Sequence, residues 1–381
     1  MDAPLTDPES RAFSRPNEAI IDLGAIARNY RFLQGRVGNR VAFIPVLKAD
    51  AYGHGAAAVA RRLGAEGARR FAVADAREGM RLRRAGVTGE ILLLNFCEAA
   101  DLPLCRGYGL TPTLYDMAQA RDFAQASNGA AAPLPVHVKL DTGLGRLGFR
   151  PEQLPDLLEL LSAAPRLRVE GVFSHLASAE KRLTAETSAQ IRVFRNALAA
   201  LAAAGLPTGL VHMANSAGVL AHPDSHFDAV RPGIALYGVP PWDSEGGEPL
   251  EPAMRLETRV MSVRSVPGGT PLGYGGSFVT SRPSTVVVLP IGYHDGLRRS
   301  FSGRVSVLLR GREAPIVGAV SMDLTLVDAT DSGASPGERV VCLGSDSGRR
   351  VTAWDLARAA GTIPYEILCG IGSRVPRRYI P

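Results

Sequence analysis

The sequence predicts an α/β fold: a (β/α)8 TIM barrel followed by a mostly-β C-terminal domain. Three observations carry this. Eight short apolar, β-prone runs recur between residues 40 and 240, Ala- and Leu-rich segments separate several of them, and strand texture takes over beyond residue 245. A chain of 381 residues is long enough for two domains and a large core. The expected layout is a flexible N-terminal tail over 1–16, a cofactor-binding barrel over 17–244 and a β domain over 245–381.

The elements follow in order. Residues 1–15 mix Asp, Glu, Pro and Ser without hydrophobic periodicity, which suits a tail. The eight runs are VAFIPVL (41–47), RRFAVA (69–74), EILLLNF (90–96), GLTPTLY (109–115), PVHVKL (135–140), VEGVFSH (169–175), LVHMAN (210–215) and AVRPGIALYG (229–238). Eight parallel strands close a barrel. Helical periodicity occupies 55–68, 77–85, 151–163 and 183–204, with Pro or Gly near several ends. The turn-rich stretch PPWDSEGGEPLEP (240–252) reads as a linker. Beyond it ETRVMSVRSV, STVVVLPIG, RVSVLL and GERVVCLG read as strands, and only 351–360 and the segment after Gly361 read as helical.

Composition narrows the function. Hydrophobic residues make up 46% of the chain, yet no apolar stretch approaches the roughly 20 residues that cross a bilayer, so no membrane partner is expected. The net charge of +6 is scattered in pairs such as Arg69 and Arg70, with no basic stripe for nucleic acid. Four cysteines without CxxC spacing, and an N-terminus without a basic segment and apolar stretch, point to reduced thiols in the cytoplasm. Of 43 basic residues only Lys48, Lys139 and Lys181 are lysine. An amine can do what a guanidinium cannot: lose its proton, attack a carbonyl or accept a covalent modification.

Active sites of TIM barrels lie at the C-terminal ends of the strands. Lys48, Lys139, Asp141, His175, Asn215, Ser216, Arg231 and Gly233 all fall there. Apolar neighbours around Lys48 disfavour its ammonium form and leave a nucleophile for a Schiff base, which implies an aldehyde cofactor. The segments ANSAG (214–218) and RPGIALYG (231–238) can cradle a phosphate with backbone N–H groups. Pyridoxal 5'-phosphate carries both groups.

VLKADAYGHG, VKLDTGLGRLGF, FSHLASAE, HMANSAG, RPGIALYG, LGYGG, LPIGYHDG, VGAVSMD and SRVPRRY occur in that order over nearly the whole chain. With them the sequence resembles the alanine racemase family, pyridoxal-phosphate enzymes of the barrel-plus-β-domain type. The resemblance implies a two-base interconversion of L- and D-alanine, supplying D-alanine for peptidoglycan. It makes Lys48 the residue bonded to the cofactor and, with Tyr274, a catalytic base. By the same resemblance Tyr52, Ser216, Gly233 and Ile234 hold the phosphate, Arg231 faces the pyridine nitrogen, and His175 and Asn215 complete the cofactor site. His175 and Arg231 are its relay toward Tyr274. Arg146, Met322 and Asp323 bind substrate, Lys139 is carbamylated to orient Arg146, and Tyr293 borders the entrance. The assembly implied is a head-to-tail homodimer with shared sites.

Arg231 remains protonated, so it can donate to a pyridine nitrogen but hardly protonate it, which leaves the ring a weaker electron sink. That favours return of a proton to the α-carbon over transamination. One departure from the family is Ser373, where many members have a Tyr that contacts the phosphate and narrows the entrance. A wider gate and a serine or broader-specificity racemase follow as the alternative reading. A non-catalytic pyridoxal-phosphate carrier would not need the β domain. Two other signals lead elsewhere. GLGRLG (143–148) satisfies GxGxxG but follows the fifth strand without the acidic partner of a dinucleotide site, and His222 with His226 in HPDSH reads as a surface loop, so no metal is expected.

Overall fold

A computed structural model describes residues 16–182, 184–243 and 248–381. It divides the chain into two compact units, Leu23–Glu251 and Pro252–Pro381, the latter joined by the segment that ends at Asp22. The first unit is the barrel. Its strands are Ala42–Phe43, Arg70–Val73, Glu90–Leu93, Leu110–Thr111 with Thr113–Leu114, Leu134–Lys139, Leu167–Phe173, Leu210–His212 and Ala229–Val230. All pair in parallel with their neighbours, and Ala229–Val230 pairs back onto Ala42–Phe43.

Two joints are irregular but closed. Val46 bridges Ala72, with Leu47 N–H donating to the Ala72 carbonyl at 2.7 Å and Ala72 N–H to the Pro45 carbonyl at 2.9 Å. The fourth strand is interrupted at Pro112, which has no N–H, yet its carbonyl still accepts from His137 N–H at 3.0 Å. The eight predicted runs are therefore the eight barrel staves. Strand Leu134–Lys139 is buried nearly throughout, because helices cover one face and the barrel interior the other. The helix Ala185–Ala203 turns Ile191, Phe194, Ala197 and Leu201 inward at three- and four-residue spacing. Asp75, Asp116 and Asn215 cap helix starts by accepting N–H groups at 3.0, 2.8 and 3.0 Å. The helices Leu23–Val37, Leu102–Tyr108 and Met117–Ser127 are additions to the predicted set.

In the second unit the main sheet runs in the order Arg312–Pro315, Ser306–Leu309, Arg339–Asp346, Met254–Arg259, Glu18–Asp22, Arg377–Ile380, with Arg349–Val351 paired to Arg339–Asp346. A separate sheet holds Ser262–Val266, Ser284–Leu289 and Thr325–Asp328. The run 257–266, predicted as one strand, is thus split between two sheets. Helices Ala353–Ala360 and Pro364–Cys369 match the predicted helical segments.

The division between units differs from the expected boundaries at 17 and 245. Glu18–Asp22 is an interior strand of the β unit, antiparallel to Met254–Arg259 and parallel to Arg377–Ile380. Both its edges are hydrogen-bonded and Ala19, Ile20 and Ile21 are buried, so the barrel begins only at Leu23. At the other end the barrel unit extends to Glu251, whose N–H donates to Asn29 Oδ1 at 2.8 Å and whose carboxylate takes two bonds from Arg28 at 2.8 Å each. The expected tail lies outside the described residues except for Pro16. All four cysteines are free thiols.

Candidate active site

Parallel strands deliver their C-terminal ends to one rim, and the predicted barrel residues collect there. Lys48 follows the first strand, Lys139 ends the fifth, His175 lies just past Phe173, Asn215 and Ser216 follow Leu210–His212, and Arg231 directly follows Val230.

Lys48 opens an unusual turn. Ala49, Asp50, Ala51 and Tyr52 have φ of 52, 53, 55 and 54°, a left-handed helical turn built from residues that all carry a Cβ. Such backbone costs roughly 1–2 kcal/mol per residue and persists only where its surroundings over-determine it. Here Glu78 accepts Ala49 N–H at 2.8 Å and Ala74 N–H at 2.7 Å, and Asp50 accepts Ala56 N–H at 2.7 Å. Burial pushes the Glu78 carboxyl above its usual range, and the two accepted N–H bonds oppose that shift. The turn delivers the Tyr52 ring beside Tyr237 at 5.0 Å, whose hydroxyl donates to the Val46 carbonyl at 2.8 Å.

The Tyr52 hydroxyl packs against Gly233, where a Cβ would fall 2.4 Å from it. Only glycine permits that approach. Ser216 Oγ accepts Gly233 N–H at 2.9 Å and Ala235 N–H at 3.2 Å, so the segment carrying Ile234 is anchored on Ser216. Asn215 caps the turn. The result is a compact cradle of two hydroxyls and a helix start, a donor set that fits a phosphate.

Beside it the Arg231 guanidinium is buried at 3% exposure. It donates to the carbonyls of Ser174 and Met213 at 2.6 and 3.0 Å, to His212 Nδ1, and to His175 Nδ1 at 3.4 Å. None of these partners is a carboxylate. The guanidinium also lies over the Phe173 ring at 4.9 Å. Burial pulls its pKa down to about 9. Burial together with the Arg231 charge holds His175 and His212 well below the usual histidine range, so both rings are neutral. A guanidinium with no anionic partner suits a neutral heteroaromatic nitrogen, and the cradle and Arg231 together fit pyridoxal phosphate.

Lys139 is equally buried, at 3%, with Nζ 5.6 Å from the Phe173 ring centre. Burial and the charges of Arg146, Arg231 and Lys48 lower its pKa to about 8. Asp141 does not pair with it: one carboxylate oxygen accepts the N–H groups of Gly143, Leu144 and Gly145 at 3.0, 3.0 and 3.1 Å. That oxygen shapes the loop carrying the exposed Arg146, which closes through Phe149 N–H donating to the Lys139 carbonyl at 2.8 Å. The GxGxxG pattern is thus a turn, with φ of 134, 68 and 127° at Gly143, Gly145 and Gly148.

Within the β unit, Arg374 joins the buried Asp295 to two predicted residues, Met322 and Asp323. The Asp295 carboxylate accepts Arg374 Nε at 2.6 Å, while Arg374 also reaches Asp323 at 2.7 Å. Ser373 precedes that arginine and is exposed. Tyr293 N–H donates to the Ser321 carbonyl at 3.0 Å and His294 N–H to the Met322 carbonyl at 3.2 Å. Tyr274 occupies a separate turn whose Gly273 lies against Ala319, where a Cβ would meet the backbone nitrogen at 2.9 Å. Its ring is 69% exposed.

Residues 21–241 match the alanine racemase N-terminal domain and residues 253–379 the alanine racemase C-terminal domain. The chain belongs to the alanine racemase family. An alanine racemase from Syntrophobacter fumaroxidans is 42% identical over 355 residues, covering 92% of this chain and 94% of that protein. The Bacillus anthracis alanine racemase solved with bound L-Ala-P has a TM-score of 0.91 at 32% identity, covering 97% of this chain and 96% of that one. The Bartonella henselae alanine racemase solved with covalently bound pyridoxal phosphate has a TM-score of 0.87 at 34% identity, covering 96% and 99%.

Two features of this racemase site escaped the sequence reading: Glu78, which pins the left-handed turn, and His212, which the HMANSAG motif contains but whose contact with Arg231 only the fold reveals. The HPDSH pair needs correction. His222 and His226 are buried, not on a surface loop, and their Nε2 atoms bond to carbonyls of Ala179 and of Gly218 and Val219. No metal-binding cluster occurs among the described residues, and none of their helices is long and apolar enough to cross a membrane.

Proposed function

We propose that this chain interconverts L- and D-alanine using pyridoxal phosphate and so provides D-alanine for peptidoglycan precursors. The observation that carries the reading is the convergence at one barrel rim of the Lys48 amine, the hydroxyl cradle at Gly233 and a buried guanidinium without a carboxylate partner. Lys48 would hold the cofactor covalently, Tyr52, Ser216, Gly233 and Ile234 its phosphate, with His175 and Asn215 bracing the site, and Arg231 would donate to the ring nitrogen. When bound, the cofactor supplies an electron-withdrawing ring that acidifies the α-C–H bond of an attached amino acid.

The remaining steps belong to the chain's own side chains. Once the substrate amine takes its place on the cofactor and frees it, Lys48 Nζ would take or return the α-proton on one face and Tyr274 Oη on the other, the lysine acting on the D-form and the tyrosine on the L-form. Arg146 and the Met322 N–H, which has no backbone partner among the described residues, would hold the substrate carboxylate, with Asp323 alongside. Arg231 would keep the ring nitrogen hydrogen-bonded without protonating it, which favours return of the proton to the α-carbon. Tyr293 and Ser373 border the entrance. The small Ser373 side chain beside the pinned Arg374 favours tolerance of amino acids larger than alanine, serine first.

Lys48→Ala should abolish racemisation in a chiral product assay and remove the absorbance of covalently bound cofactor, while Lys181→Ala, on an exposed turn, should do neither. Running the assay with L-alanine and L-serine ranks the two substrates. A wild-type enzyme that racemises no amino acid would refute the function.

Lys139 is the proposed carbamylation site. Its neutral amine attacks the carbon of CO2, the N–C bond forms and the amine proton leaves to solvent. Only the neutral amine reacts, and with the pKa lowered to about 8 that form rises from about a tenth of the amine at pH 7 to about half at pH 8. Protonation competes, so occupancy should fall as pH drops below about 8, read as loss of the carbamate 13C signal after equilibration with labelled bicarbonate. A signal absent at pH 8 and above would overturn the assignment.

The homodimer reading makes each site from the barrel of one chain and the β unit of its partner. The exposure of Tyr274 at 69% and Met322 at 52% on this single chain supports it. Mixing inactive Lys48→Ala and Tyr274→Phe proteins under subunit exchange should restore roughly a quarter of wild-type activity, because half the dimers are mixed and half their sites intact. No recovery despite demonstrated exchange would place both bases in one chain.

A further inference from the structure

The hydrogen-bonded series that begins at Arg231 does not end at His212. Because Arg231 donates to His212 Nδ1, that nitrogen is an acceptor and the ring proton belongs on Nε2. His212 Nε2 lies 2.9 Å from His137 Nδ1. His137 must then accept at Nδ1 and carry its own proton on Nε2.

Three independent features show that the fold makes room for this second ring. The pairing of Leu134–Lys139 with Leu167–Phe173 shifts register between Val136 and His137, an irregularity of the kind that re-aims a side chain. The residue paired with His137 is Gly171, where a Cβ would fall 2.3 Å from His137 Cε1, so any larger residue would evict the imidazole. Phe173 stacks on His212 at 4.8 Å and 8°, fixing the plane in which His212 meets His137. Burial and the nearby Arg231 charge lower the His137 pKa to about 3, so the ring stays neutral and its Nδ1 stays available.

We propose that His137 is a positioning residue: by accepting the His212 Nε2 proton it locks His212 into one tautomer, and so preserves the Nδ1 acceptor that orients the Arg231 guanidinium. Metal-binding histidines are held by the same logic, with an outer partner choosing which nitrogen carries the proton. The catalytic consequence rests on the reading that Arg231 faces the cofactor ring. The tautomer itself does not depend on that reading.

The test uses holoenzyme labelled with 15N-histidine, a tractable spectrum because the chain has only 7 histidines. Wild-type His212 should show a single neutral tautomer with the proton on Nε2. His137→Leu, which fills similar space without an acceptor, should give mixed His212 tautomers and a kcat reduced about 10- to 100-fold with little change in KM. His137→Asn, whose side-chain oxygen can accept, should keep the Nε2–H tautomer and restore kcat to within about threefold of wild type. A wild-type His212 protonated on Nδ1 overturns the proposal, as do equal kcat values and an unchanged His212 spectrum in the two variants. Should the leucine variant not fold, the wild-type and asparagine spectra still decide. A protein inactive on every amino acid would refute the racemase reading and leave the tautomer signals to be judged separately.

Discussion

Burying a guanidinium without a carboxylate is the constraint around which the barrel rim is organised. An uncompensated charge in a protein interior carries a desolvation penalty of several kcal/mol, so its hydrogen-bonding positions need neutral acceptors of good geometry. The rim supplies them from two consecutive strand ends: the Ser174 and Met213 carbonyls, His212 Nδ1 and His175 Nδ1, with the Phe173 ring beneath. A nearby aspartate would satisfy Arg231 more cheaply but would also claim the donor that a ring nitrogen needs. Neutral acceptors keep the charge and leave it directed.

Burial first, with that positive centre adding to it, sets the ionisation of its neighbours. His175 and His212 remain neutral, and the Lys139 amine is poised near pH 8. The left-handed turn after Lys48 is the second device at this rim. It sets four residues with side chains in a conformation they disfavour, held by Glu78 and Asp50 on backbone N–H groups. Strain of this kind, concentrated beside the proposed nucleophile and at the start of the Tyr52 segment, fixes both side chains relative to Gly233.

Much of this was legible in the sequence because parallel strands impose a rule: a polar residue just after an apolar run lands on the rim. Lys48, Lys139, His175, Ser216 and Arg231 obey it. The eight staves were legible for the same reason, down to the two-residue strand Ala229–Val230. Three kinds of information were not. The left-handed turn is spelled Ala-Asp-Ala-Tyr, without the glycine that signals positive φ, so only its tertiary bracing by Glu78 explains it. The pairing of His137 with His212 joins residues 75 apart and depends on register and on the gap at Gly171. The strand Glu18–Asp22 precedes the barrel in sequence yet completes the β unit, a long-range pairing that local periodicity does not encode.

If Arg231 is, as proposed, a charged donor that withholds a full proton from the ring nitrogen, the partition of products reports it. D-alanine and pyruvate formed from L-alanine should be measured together for wild type and for Arg231→Glu, which replaces the donor with a carboxylate able to share a proton with that nitrogen. Wild type should form D-alanine with negligible pyruvate, and in the variant racemisation should fall while the share of pyruvate rises, as expected when the carbanion's charge is drawn further into the ring. An unchanged product ratio in a folded, cofactor-loaded variant would contradict it.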